Sequence, residues 1–545
     1  MTWRACVLAS LFAGSALLAG CVGDIGDGNA AGPPGETGVQ GEQPTTAIPR
    51  LSRREIDATI ADVFGIVGAA ERNLAADPKM AVNPATNAEE EVFDTLAATK
   101  TPSQVFVDGI ESLAFEVARD VSADTSKVDA LAGCTPATQP LDESCLTSFI
   151  RNAGLRLWRR PLSDQEVSTL VATVGPLASD PAAGSAGHYV AVRGAISALI
   201  VSPELVYRTE IGEPVEAGVV RLDNHELVSR LAYFLWGTTP TPELLQRAAG
   251  PELSDGDVAA LVEEMLADPR GVRQMHAFHE LWLRYTSLLV TDAALATDMR
   301  AETDALVDRV LASGGGADWT QLFTSEETFV TPALAAHYGL AVPAEASWVG
   351  YDESRVGVLS HGSFLSLSQT KLTDTLPSRR GAMIGRRLLC QTILPPPPNV
   401  AIDMGVTVPE GACKSDAYEA HASGTCKGCH SVIDGIGFGF ERYDGLGRHR
   451  EAEEENPACS IEGVGNVGGQ AFSGPRDFVS QNLETISDCA VANLVRFAAR
   501  DWRASDDRLA RMVEAFDGSS HDFGALMRAV ATDPSFRHRV EEVSQ

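Results

Sequence analysis

Apolar residues recur along most of this chain at spacings of three and four. Ile56, Ile60, Val63 and Phe64 make one such stripe, and Leu227, Leu231, Phe234 and Leu235 make another. That period places them on one face of a helix. Four stretches share a start signal. In Leu51-Ser52-Arg53-Arg54-Glu55-Ile56, Ser52 takes the N-cap and Glu55 the third helical position. This is a capping box, with Leu51 and Ile56 as the hydrophobic staple around it. Ser163 with Glu166, Asp223 with Glu226, and Ser254 with Asp257 repeat the plan. Gly65 follows the first stripe as a helix stop. Alternation of the strand type is scarce, and no strict internal repeat is present. The pattern predicts a mainly α chain, with residues 49–345 folded as consecutive helical bundles.

The two ends of the chain break this pattern. Arg4 precedes an apolar run from Val7 to Ala19, too short to span a bilayer comfortably. It ends in Leu18-Ala19-Gly20-Cys21, which resembles the lipobox of bacterial lipoprotein signals. The resemblance implies cleavage before Cys21 and lipidation of its thiol. Val22 after the cysteine points to the outer membrane. Residues 22–48 are Gly-, Pro- and acid-rich and cannot bury a core. The expected organisation is a signal peptide (1–20), a tether (21–48), helical modules (49–130, 131–218 and 219–350), a haem module (351–455) and a C-terminal helical module (456–545).

A formal net charge of −31 excludes a nucleic-acid partner and any electrostatic attraction to anionic lipid. Of ten cysteines, six lie outside the leader, the lipobox and the motif described next: Cys134, Cys145, Cys390, Cys413, Cys459 and Cys489. In an exported chain these are expected as disulfides. Proximity along the sequence favours 134 with 145, 390 with 413, and 459 with 489.

The chemistry concentrates at Cys426-Lys427-Gly428-Cys429-His430. C-x-x-C-H is the attachment signal for one covalent haem c. Two thiols can form thioethers with the haem vinyl groups, and the adjacent imidazole can bind the iron. A structural zinc site would need a second ligand pair, and a thioredoxin-like dithiol would need a βαβ context. Neither is present. Residues 415–422 read as a helical lead-in. The Gly-rich run after His430, with Ile436, Phe438, Phe440 and Tyr443, reads as a loop wrapping a flat macrocycle. Its acids, Asp434, Glu441 and Asp444, read as solvated or Arg-paired rather than as calcium ligands. Pro395 to Pro398 form a stiff spacer before the motif. For the far side of the iron, His421 and Met404 are the candidates, His421 ahead. His449 is a candidate for the propionates, and Met512 and Met527 are more distant in sequence.

Two further histidine patterns carry less. His276 and His279 sit three apart on one helix and lack the H-E-x-x-H order. Ser360-His361 lacks the G-x-S-x-G elbow of hydrolases.

Trp158-Arg159-Arg160-Pro161-Leu162, Leu231-Ala232-Tyr233-Phe234-Leu235-Trp236 and Cys426 through Arg450 together resemble a known plan. It is that of large bacterial exported proteins with several domains of unknown function and a cytochrome-c-like module, the planctomycete-type cytochrome c-like family. The haem segment resembles C-x-x-C-H-x-x-I-D-P-x-G-F, with Gly435 where the family has Pro. The resemblance implies haem c and export but supplies no reaction. The expected function is membrane-anchored electron transfer to an unknown redox partner. The alternatives are a haem-dependent oxidoreductase with substrate on the helical domains, and a surface binding or scaffold protein with a structural or sensing haem.

Overall fold

The computed structural model describes residues 49–86, 88–180, 186–311, 318–368, 375–394, 408–418, 427–502 and 504–540. All four capping boxes form within them. Ser52 Oγ accepts the Glu55 N–H at 3.2 Å, and the Ser52 N–H donates back to the Glu55 carboxylate at 2.8 Å. Ser163–Glu166, Asp223–Glu226 and Ser254–Asp257 do likewise. Helix Arg53–Phe64 ends at Gly65 with φ 68°, a left-handed turn that glycine takes without steric cost. Both apolar stripes are buried.

The chain is mainly α. Gln104–Ala123, Glu143–Trp158 and Gly187–Val201 pack together in the N-terminal half, while Pro269–Leu283, Ala293–Leu311 and Gly474–Ala499 organise the rest. The described strands are three or four residues long, too short for alternation to register in the sequence. They form antiparallel hairpins, plus a three-stranded sheet in which His538–Val540 returns to pair with Val219–Arg221.

Buried apolar side chains gather into one cluster from Leu51 to Tyr233 and a larger one from Leu222 to Phe536. The larger cluster holds an aromatic column. Phe278 stacks on Trp282 at 6.0 Å, Trp282 on Trp319 at 5.9 Å, and Trp319 on Phe523 at 6.3 Å between ring centres. The two ends of the chain interlock through a buried ion pair. Arg500, the left-handed cap of helix Gly474–Ala499, binds Glu55 of the first capping box. Removing either partner would strand a buried charge.

Cys134 pairs with Cys145, as proximity suggests, but the other pairings differ from expectation. Cys390 joins Cys489, 99 residues away, and Cys413 joins Cys459, 46 away. The cause is packing. Helix Pro377–Leu388 lies against helix Gly474–Ala499, so Cys390, just past the end of the first, meets Cys489 within the second.

The Gly-rich run also departs from the expected loop. Residues Lys427–Phe438 form a helix. Its glycines serve backbone contact: a Cβ at Gly437 would overlap the Pro377 carbonyl, and one at Gly381 would overlap the Ile433 carbonyl. Helices Pro377–Leu388 and Lys427–Phe438 therefore cross with no side chain between them at these points.

Candidate functional site

Helix Lys427–Phe438 carries Cys429, which is exposed, and His430, which is partly buried. His430 and Asp434 are four residues apart and so share a face. The His430 Nδ1–H donates to the Asp434 carboxylate, at 3.0 Å to Oδ2 and 3.2 Å to Oδ1. Ser378 Oγ, from the crossing helix, donates to Asp434 Oδ1 and lies 3.4 Å from His430 Nδ1. A carboxylate at Nδ1 fixes the proton there and leaves the lone pair on Nε2, as metal-binding imidazoles require. Gly435 faces the hairpin, where a Cβ would sit 3.1 Å from Asn466 O.

His430 and Asp434 open onto a cleft of about 800 Å³. That is a size that holds sizeable ligands. One wall is the motif helix with Phe438. A second is the stretch Cys413 to Tyr418, in which Lys414–Tyr418 is helical; residues 419–422 of the expected lead-in lie outside the described residues. The third runs from Ala458 to Asn466 and enters the hairpin Val464–Val467 / Gln470–Ser473. The Cys413–Cys459 bridge ties the second wall to the third. Gly468 and Gly469, at φ 59° and 94°, make the tight turn of that hairpin. Phe472 packs over Gly439 and Gly465, seating the hairpin on the motif segment. The lining is acidic: Asp434, Glu441, Glu453 and Glu462 stand against Lys414.

The arginines before the motif brace this arrangement. Arg380 is fully buried, and its Nη1 donates to the carbonyls of Phe440 at 2.7 Å and Tyr443 at 2.9 Å. It thereby caps the C-terminal end of the motif segment, where a cation opposes the helix dipole favourably. Glu441 is paired by Arg450 at 3.0 Å and by Arg380 at 3.3 Å, and Asp444 by Arg448 at 2.6 Å. These acids are Arg-paired, as their sequence context suggests.

Of the predicted site residues, Cys21, Met404, His421 and Cys426 lie outside the described residues. Met512 and Met527 are buried in the large apolar core, away from the cleft. His449 packs edge-on against Tyr443, 5.6 Å between centres, and does not line the cleft. Among the described lining residues, His430 is the one imidazole and no thioether is present. Ser360 and His361 are buried apart from each other's chemistry: Ser360 Oγ bonds Val356, and His361 Nδ1 bonds Thr303 at 2.8 Å. Neither Ser378 nor the orienting role of Asp434 is evident from the C-x-x-C-H motif itself. The His-x-x-x-Asp spacing inside a helix was the available signal.

Three stretches match known family models. Residues 145–210 match PSD5, residues 222–340 match PSD4 and residues 355–453 match PSCyt3, described respectively as proteins of unknown function DUF1595, DUF1592 and DUF1588. All three belong to the planctomycete cytochrome c-like domain family, and the last match contains the C-x-x-C-H segment and the cleft's first two walls. No curated protein and no solved structure matches the chain.

Proposed function

We propose that this is an exported, lipid-anchored monohaem c-type protein that carries single electrons at the periplasmic or surface face of an outer membrane. One observation supports this most: His430 Nδ1, held at 3.0 Å by Asp434, sits one residue after an exposed Cys429 at the edge of an 800 Å³ cleft. The donor set fits haem c, with Cys426 and Cys429 as thioether donors and His430 Nε2 as iron ligand. Bound there, the group supplies one-electron redox chemistry. The chain's own residues tune it. Asp434 strengthens the imidazole as a donor. The cleft carboxylates add negative charge, which favours the oxidised, more cationic state. The Cys413–Cys459 bridge holds the cleft walls together. Three disulfides suit an oxidising compartment, and no described helix is long and apolar enough to cross a membrane. The lipid on Cys21 provides the attachment. With a net charge of −31, the redox partner presents a basic face.

Asp434→Asn tests the carrying observation. Losing a charge-assisted bond that favours the ferric state by about 1.4 kcal/mol raises the potential by about 60 mV. An unchanged potential would remove Asp434 from the account. A second reading is a haem oxidoreductase with substrate bound by the helical domains and an open iron position. Ferric spectra with and without cyanide separate the two. A low-spin spectrum, lost in His421→Ala or Met404→Ala, supports electron transfer. A high-spin spectrum with rapid cyanide binding supports catalysis.

A further inference from the structure

The two histidines of His276-Ala277-Phe278-His279-Glu280 have separate environments. His279 is fully buried: its Nε2 accepts the Trp319 indole N–H at 2.8 Å, and its Nδ1–H donates to the Met275 carbonyl at 2.7 Å. Both ring nitrogens are used within the aromatic column. His276 instead meets the facing helix Ala293–Leu311. Its Nε2 lies 3.5 Å from Asp304 Oδ1 and 3.7 Å from Asp308 Oδ1. Glu280, four residues on, joins them. One ligand atom each from His276, Glu280 and Asp304 lies within 4.8 Å of the others. Bonds of about 2.0–2.2 Å to a shared ion hold its ligand atoms up to about 4.4 Å apart, so small side-chain rotations close the set.

A second observation points into the same place. Tyr285 is fully buried, and its hydroxyl is directed at Asp304 without closing a full hydrogen bond, with Glu280 and Asp308 nearby. Asp304 Oδ1 is a buried atom and also has no hydrogen-bond partner. Buried polar atoms with poor hydrogen bonding are costly, and here two meet at one point. Of the neighbouring arginines, Arg300 already donates to the Thr286 carbonyl at 3.0 Å and Arg54 pairs with Asp94 at 3.0 Å.

We propose that His276, Glu280 and Asp304 form a divalent transition-metal site joining helices Pro269–Leu283 and Ala293–Leu311, selective for zinc over calcium and magnesium. The imidazole carries the selectivity, since calcium and magnesium take oxygen ligands. The fourth tetrahedral position falls to water or to Asp308, with the Tyr285 hydroxyl beside it. The site belongs to the stretch 222–340 and shares no residue with the haem cleft.

The test is a zinc titration of the full chain against a competing chromophoric chelator. The protein is first stripped of metal, and Cys426 and Cys429 are alkylated, because free thiols beside His430 bind zinc themselves. Wild type should take one tight zinc per chain, and zinc should raise its thermal midpoint. His276→Ala should lose at least a hundredfold in affinity and the thermal shift, while matching the metal-free wild type in circular dichroism. Should His276→Ala misfold, Glu280→Gln, which preserves side-chain shape, gives the same reading. The proposal is overturned if wild type binds zinc no more tightly than calcium, or if both variants retain wild-type affinity.

Discussion

Gly437→Ala tests whether the backbone crossing that seats His430 is as tight as described. A Cβ at 437 would lie 1.9 Å from the Pro377 carbonyl oxygen and 2.8 Å from Pro377 Cα. These are backbone atoms within a helix and cannot rotate away. Restoring ordinary contact at about 3.5 Å parts the two helices by about 1.5 Å. Overpacking of this kind costs about 3 kcal/mol. Separation also breaks the Ser378–Asp434 bond, about 1 kcal/mol, while alanine returns about 1 kcal/mol in helix propensity. The net expectation is a loss of about 3 kcal/mol. Gly428→Ala is the control on the same helix, because a Cβ there meets nothing within 4 Å. It should be neutral or stabilising by up to about 1 kcal/mol. Guanidinium unfolding gives the totals, and amide hydrogen exchange across 427–438 localises the effect. A loss below about 1 kcal/mol for Gly437→Ala, or equal effects at both positions, would show that the two helices do not meet backbone to backbone.

Three further expectations follow from other parts of the molecule. Glu302 is fully buried, and desolvation raises its pKa to about 7 despite donation from Thr328 and Tyr338. The folded state thus keeps a proton that the unfolded chain releases near 4.5, so stability is full below that pH and falls by about 3 kcal/mol as pH rises to 7. Denaturation of Glu302→Gln from pH 4 to 8 should lack that decline, and a pH-independent gap from wild type would count against it. The Cys390–Cys489 bridge closes 99 residues and Cys134–Cys145 closes 11, so removing the first should cost about 2 kcal/mol more. Equal losses would show that chain entropy does not govern these bridges. Cys21→Ser should move the protein from the membrane to the soluble fraction, and unchanged membrane retention would reject the lipid anchor.

The local parts of this fold were legible in the sequence. Ser52 with Glu55, the Ile56–Phe64 stripe and Gly65 state a helix's beginning, buried face and end within fifteen residues, and the structure follows them. Long-range arrangement was not legible in the same way. Cys390 meets Cys489 only because two helices pack, and sequence proximity carries no record of that. The glycines at 435, 437 and 439 looked like an extended wrap because they alternate with Ile436 and Phe438. They are small because Pro377, Asn466 and Phe472 come close on three sides. His430 stood out by its motif, but its orientation depended on Asp434, read as a loop acid, and on Ser378, which the crossing helix delivers from 52 residues away.

The central claim is that Cys426, Cys429 and His430 hold one covalent haem. The direct measurement is a pyridine haemochrome spectrum, with intact mass under denaturing conditions, of the chain matured alongside a cytochrome c assembly system. A c-type spectrum and one haem per chain that survives denaturation are expected, and both should be absent from the Cys426→Ser/Cys429→Ser variant. A chain that matures without covalent haem, or a double variant that keeps it, would contradict the claim.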